Sequence, residues 1–287
     1  MEKRPYGATG LEVSAIGLGA GHIGGADMDE RDVERLLHGA LDRGVTLIDT
    51  APSYGLSEER IGRHLAGRRD AFVLSTKGGY GDFGVPEWTG ACVARGIDAA
   101  LARLRTDRLD VFHLHSCPRE VLGREDILRS LEDARSAGKV RVAAYSGENE
   151  HLAAALAIPL FGGVQCSVNI CDQRALDAYL PGTRAGVIGK RPLANACWRF
   201  AERPTGQYAE VYWDRFHAMG MPSWDVDWPE VAIRFSAFAP GVSSVIVGTR
   251  SLEHLRRSAD AVAKGPLEPE LVTRIRAGFQ GGWAGEV

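Results

Sequence analysis

Cysteine is scarce: Cys92, Cys117, Cys166, Cys171 and Cys197 are the five present, and none stands in a CxxC spacing. An odd number without that spacing argues against a disulfide framework or a zinc cluster and for reduced thiols in a cytoplasmic protein. No apolar run approaches the ~18 residues needed to cross a bilayer. No apolar signal core follows Met1-Glu2-Lys3-Arg4-Pro5. Charge of one sign is missing too. The formal net charge is −3, and the longest basic clusters are the pairs Arg68-Arg69 and Arg256-Arg257. Neither nucleic acid nor a membrane surface is an expected partner. Internal repeats, low-complexity tracts and domain linkers are also absent.

What is present is ordinary globular composition, 45% hydrophobic and 25% charged over 287 residues, enough for one barrel of about 250 residues with decoration. Apolar β-branched runs at Ala15–Leu18, Thr46–Asp49, Phe72–Lys77, Leu109–His115, Val140–Tyr145, Gly163–Ser167, Gly186–Gly189 and Ser243–Val247 read as strands. Amphipathic stretches between them, such as Glu30–Asp42, Thr89–Leu104 and Glu125–Ala137, read as helices. Such alternation predicts an α/β fold: a single (β/α)₈ TIM barrel over residues 1–287, with a short N-terminal β-hairpin-like segment. An open doubly wound sheet is the structural alternative, but no GxGxxG opens a helix after the first strand. Gly44 and Gly138 are expected to close helices, and Asp29 and Ser57 to cap them. The tract Ala196–Trp228 is long, aromatic and aperiodic, and is expected to be a mobile flap.

Active sites of such barrels form at the C-terminal strand ends. Those ends carry Asp49, Lys77 and His115, with Tyr54 on the loop five residues past Asp49. Alternation places Leu47 with Asp49, Ser75 with Lys77, and His113 with His115 on shared faces. A tyrosine with its ordinary pKa of about 10 is a poor proton donor or acceptor near neutrality. A neighbouring lysine cation is expected to lower that pKa, and an aspartate to hold the lysine. Histidine can orient a carbonyl oxygen, and the hydride must come from a cofactor, since no side chain carries one. Each residue alone has a blander reading: a structural ion pair, a core histidine, a turn aromatic. His113, one layer deeper, reads as packing or support. His113-Leu114-His115 also raises a metal hydrolase, but the other histidines lie off the strand ends, and no metal is expected.

The run Ile48-Asp49-Thr50-Ala51-Pro52-Ser53-Tyr54-Gly55 through Gly62 resembles the second-strand signature of aldo-keto reductases. Gly7-Ala8-Thr9-Gly10 with Gly17-Leu18-Gly19, Ser75-Thr76-Lys77, and Leu109 to His115 are similar to other segments of that family. The resemblance runs from about residue 4 to about residue 263. It implies a catalytic tetrad of Asp49, Tyr54, Lys77 and His115, with Tyr54 the general acid in reduction and the base in oxidation. It also implies an NADP(H)-dependent enzyme acting on an aldehyde or ketone, or in reverse on an alcohol or sugar hemiacetal. A second implied reading is a cofactor-binding regulatory subunit with little turnover.

The same resemblance implies cofactor contacts at Gly19, Asp49, Ser146, Gln165, Lys190, Pro192, Leu193, Gly248, Thr249, Arg250 and His254. Three departures from the family pattern stand out. Gly147 follows Ser146 where the family usually has Asn, with Asn149 the nearest replacement. Lys190 stands where an aromatic often stacks on the nicotinamide, and Arg257-Ser258 replaces a Glu-Asn pair. Arg250, after the last strand, is the expected reader of the 2′-phosphate. Trp88, Phe83, Trp198, Tyr212, Trp213 and Trp224 are candidate pocket walls, and Cys117 a candidate thiol beside the site.

Overall fold

The computed structural model describes residues 1–81, 83–279 and 283. Among them ten strands form: β1 Lys3–Pro5, β2 Glu12–Ser14, β3 Ile16–Gly19, β4 Leu47–Asp49, β5 Val73–Gly78, β6 Leu109–His115, β7 Val140–Ser146, β8 Gly163–Ser167, β9 Gly186–Lys190 and β10 Ser244–Gly248. Strands β3 to β10 pair in parallel and close, β10 bonding to both β3 and β9. The expected eight-stranded barrel is therefore the fold, and each expected strand lies within a residue or two of its place. The short β1–β2 pair is antiparallel, from Lys3↔Ser14 to Pro5↔Glu12.

Alternation along the strands builds two cores. Leu47, Val73, Val111, Val142 and Ile188 fill the lower barrel interior, where Tyr6, Leu11 and Val13 of the N-terminal segment join them. The opposite faces pack against the outer helices. In Glu30–Asp42, Val33, Leu36, Leu37, Ala40 and Leu41 are buried, the spacing of one helix face. Asp29 caps that helix by accepting from the Arg31 N–H at 2.8 Å. Gly44 and Gly138 take the positive φ (77° and 75°) expected after helix ends. Ser57 does not cap its helix. It is the first helical residue, and its hydroxyl lies buried between the Ala20 carbonyl and Thr50 Oγ1, at 2.8 Å from each.

The stretch 196–228 departs from expectation, because it carries the helix Glu210–Ala218 and two 3₁₀ turns. Tyr212, Phe216, Met219, Met221 and Trp228 are buried there in a second cluster, together with Ile275 of the C-terminal helix Pro269–Gly278. Each large apolar side chain buried this way contributes about 1.5–3 kcal/mol. A segment anchored by five of them is a packed appendage of the barrel, not a free flap.

Candidate active site

Above the apolar interior the inward positions turn polar. Strand register places Asp49 beside Ser75, Lys77 beside His113, His115 beside Ser146, and Ser146 beside Gln165. The side chains bond across that layer. Lys77 Nζ donates to Asp49 Oδ2 at 2.6 Å and to the Thr50 carbonyl at 2.8 Å. Asp49 Oδ1 accepts from Ser75 Oγ at 2.8 Å and from Gln165 Nε2 at 2.9 Å. Ser146 Oγ donates to Gln165 Oε1 at 3.0 Å, and His113 Nε2 meets Ser75 Oγ at 3.1 Å. Asp49 and Lys77 are each 1% exposed. At that burial an ion pair holds only when its remaining lone pairs and protons are met, and the carboxylate here has three donors.

Tyr54 sits over this pair. Lys77 Nζ lies 5.0 Å from its ring centroid, and the His115 ring stands edge-on to it at 6.3 Å. The tetrad residues are thus brought together, but the electrostatics differ from expectation. Burial and the Asp49 charge push the Tyr54 pKa up, and the cation that opposes them is Arg191. The lysine is compensated at 2.6 Å by its own carboxylate, and the net shift of the phenol is upward. Tyr54 is held as a neutral phenol. Burial also pushes His115 down to about 3, with Lys77 and Lys190 acting the same way, and His113 down to about 4. Both imidazoles are neutral near pH 7. Asp49 stays ionised: burial raises its pKa, but Lys77, His113 and its donors outweigh that.

The cofactor-contact candidates line the same strand ends. Gly19 ends β3, paired with Asp49 on one side and Gly248 on the other. Ser146 and Gln165 are fully buried under the site. Lys190 is not free to stand in for an aromatic, since it pairs with Glu148 at 3.0 Å. Glu148 also accepts from the Ser167 N–H and hydroxyl. Pro192 offers its carbonyl to Ser236 Oγ at 3.1 Å, and Leu193 packs between the two outer clusters. Thr249 Oγ1 accepts from the Ser251 N–H at 3.0 Å. Ser251 caps the helix Leu252–Ala263 by accepting from the His254 N–H. Arg250 is paired with Asp27 at 2.7 Å, while Arg256 and Arg257 are both tied to Glu253.

The glycine at 147 has a local cause. A Cβ there would lie 2.4 Å from the Tyr145 hydroxyl, which donates to the Cys117 carbonyl at 3.1 Å. No side chain fits while Tyr145 is so placed. Asn149 opens the next helix in the left-handed region at φ 52°. Cys117 is buried and its thiol is pushed up to about 12, so it is not a reactive group. Of the candidate pocket walls, Tyr212 is wholly buried, and Trp198, Trp213 and Trp224 pack on the second cluster. Trp88 does lie near the site, 6.1 Å from Tyr80.

Two residues escaped sequence reasoning. Tyr80, three positions past Lys77, places its hydroxyl 2.7 Å from His115 Nδ1. Arg60 is buried and donates to the carbonyls of Ile23, Gly25 and Met28 and to Glu30, pinning the loop that carries Asp27. The only signal for Arg60 was a cation on an otherwise inward helix face.

The site's chemistry suits a nicotinamide nucleotide. Ser146 Oγ keeps acceptor capacity, and Gln165 keeps one N–H and one lone pair, which complement a carboxamide. Among the described residues no group of three His, Cys, Asp or Glu side chains gathers to hold a metal ion. Nor is any helix among them long and apolar enough to cross a membrane.

A parallel barrel with a buried carboxylate–ammonium pair under a tyrosine defines an enzyme-type (β/α)₈ centre. The chain belongs to the aldo-keto reductase family, whose model, the Aldo/keto reductase family, matches residues 15–278. It is similar to aldo-keto reductase YhdN of Bacillus subtilis, 30% identical over 74% of this chain and 66% of that protein. It is also similar to D-threo-aldose 1-dehydrogenase of a Pseudomonas species, 29% identical over 89% and 91%. Its fold matches that of aldo-keto reductase AKR11C1 from Bacillus halodurans in the holo form, with a TM-score of 0.85 at 24% identity, covering 98% and 97% of the chains. The protein is an oxidoreductase, and its family works with nicotinamide cofactors.

Proposed function

We propose that residues 1–287 form one NADP(H)-dependent catalytic unit that reduces an aldehyde or ketone, or oxidises the matching alcohol or sugar hemiacetal. Asp49, Tyr54, Lys77 and His115 are its catalytic groups. The observation that carries this reading is the buried Asp49–Lys77 pair beneath the Tyr54 ring, beside a neutral His115. A neutral phenol is the form that can hand a proton to a carbonyl oxygen. Lys77 then faces the phenolate left behind and stabilises it, while Asp49 keeps the ammonium charged and in place. A neutral His115 can bond the substrate oxygen without repelling Lys77. A bound nicotinamide supplies or takes up the hydride.

Ser146 and Gln165 would hold the carboxamide, with Gly19, Asp49, Lys190, Pro192, Leu193, Gly248 and Thr249 along the groove. Preference for NADP(H) rests on Arg250, with His254 and the Ser251-capped helix start beside it. The relative named for oxidation at carbon 1 of an aldose supports sugars among the substrates to test. Five buried free thiols favour the cytoplasm. The test is nicotinamide absorbance with NADPH or NADH against a panel of aldehydes and ketones, and with the oxidised cofactors against sugars. Turnover with NADPH is expected. A panel wholly inert with both cofactors contradicts the reading.

A further inference from the structure

Tyr80 lies on the loop leaving β5, its half-buried ring set between Trp88 at 6.1 Å and His115 at 5.6 Å. Its hydroxyl meets two groups, Ser53 Oγ at 3.0 Å and His115 Nδ1 at 2.7 Å. A phenol has one proton to donate, and of its two contacts the one with Ser53 has the Tyr80 hydroxyl as donor, so we assign the proton to it. Tyr80's oxygen is then the acceptor in the second bond, so Nδ1 must carry a hydrogen. A neutral imidazole has only one N–H, which leaves Nε2 as a bare lone pair. Among the described residues Nε2 has no hydrogen-bond partner in the protein, so it is the nitrogen left to meet a substrate oxygen.

We propose that Tyr80 is a positioning residue that sets the tautomer of His115, making Nε2 an acceptor matched to the hydroxyl of an alcohol or hemiacetal. This rests on the reading above that His115 faces the substrate oxygen. Turning the Tyr80 hydroxyl from Ser53 to Nδ1 corresponds to the other tautomer, in which Nε2–H donates to a carbonyl. Exchange between the two moves one proton from one ring nitrogen to the other through solvent, with no net change in charge. Burial keeps both partners neutral: it raises the Tyr80 pKa, and it holds His115 down to about 3. The direction of one hydroxyl therefore decides what the ring offers, and no ionisation near pH 7 overrides it. Trp88 keeps the phenol in reach of both partners.

The test is ¹⁵N-histidine NMR on the full chain, with the His115 signals assigned by their loss in His115→Gln. The wild type is expected to show protonated Nδ1 and bare Nε2. Tyr80→Phe keeps the ring but removes the oxygen, and should shift His115 to Nε2–H, the form free histidine favours in water. In the same variant the KM for an alcohol with NADP⁺ should rise up to about tenfold, the worth of one hydrogen bond. The KM for a carbonyl should fall rather than rise, and cofactor affinity should hold. A wild type already protonated at Nε2, an unchanged tautomer in Tyr80→Phe, or an unchanged alcohol KM would each overturn the proposal. The spectrum needs no turnover, so an inactive enzyme would sink the functional reading and still leave the tautomer measurable.

Discussion

Lys77 Nζ is 2.6 Å from Asp49 Oδ2 and buried with it, so each charge exists in the fold only because the other does. Lys77→Met leaves a buried carboxylate unpaired, which should cost about 3–5 kcal/mol of stability at neutral pH. The pH dependence carries a sign. In the wild type Asp49 lies below its ordinary pKa of 3.8, so its contribution is present above that value and is lost as pH falls through the folded pKa. Without Lys77, burial outweighs the donors that remain, Ser75 and Gln165, and the folded pKa rises above the unfolded one. The variant should then be least stable at high pH and recover on acidification. Urea unfolding at pH 7.5 and 5 checks this, and a deficit independent of pH would contradict it.

His113 and His115 carry depressed folded pKa values, about 4 and about 3 against an ordinary 6.5. Their neutral forms stabilise the fold fully above pH 6.5, and that contribution drains away as pH falls toward 4. The protein should lose stability across this window, before most carboxylates titrate. His113→Gln, which can still bond Ser75, should flatten the slope. A variant with the wild-type slope would show that His113 is not buried neutral.

Arg250 and Asp27 stand 223 positions apart in sequence and meet at 2.7 Å. If Arg250 reads the 2′-phosphate, it must leave Asp27 or share itself. Arg250→Ala should weaken NADPH by about 1.5–3 kcal/mol, the range for a hydrogen bond to a charged group, and NADH much less. Asp27→Asn should tighten NADPH and leave NADH unmoved. Calorimetric titration of both cofactors measures it, and equal effects on the two would remove Arg250 from phosphate recognition.

Gly147 is fixed by Tyr145 rather than by any need for a special backbone. Gly147→Ala sets a methyl 2.4 Å from the Tyr145 hydroxyl and should destabilise by about 1–3 kcal/mol. Thermal unfolding checks it, and an unchanged Tm would mean that Tyr145 yields freely.

These particulars mark where the sequence was legible. Leu109–His115 was found to the residue, because a largely apolar run ending in a polar side chain marks both the strand and its C-terminal end. Asp49, Lys77 and His115 were placed by the same alternation. Tyr80 was not, since its partners lie 27 and 35 residues away and no local period marks a hydroxyl that bridges loops. The helix Glu210–Ala218 was missed because its buried face mixes Tyr212, Arg215 and Phe216 and packs partly on the distant C-terminal helix. Local pattern also could not say that Ser57 would turn inward to Ala20 instead of capping. The sign of the Tyr54 shift comes from burial and then from the Asp49 charge, which no spacing gives.

In the proposed reaction Tyr54 moves the proton, while the fold and nucleotide groove are built by other residues. Tyr54→Phe keeps the ring over Lys77 and removes only the hydroxyl. Single-turnover reduction of a carbonyl by NADPH, beside NADPH titration of the same variant, measures it most directly. Cofactor affinity should stay within about twofold of wild type and the chemical step should slow by at least about 10²-fold, the low end for general acid catalysis. A variant that binds NADPH normally and reduces substrate at the wild-type rate would contradict it.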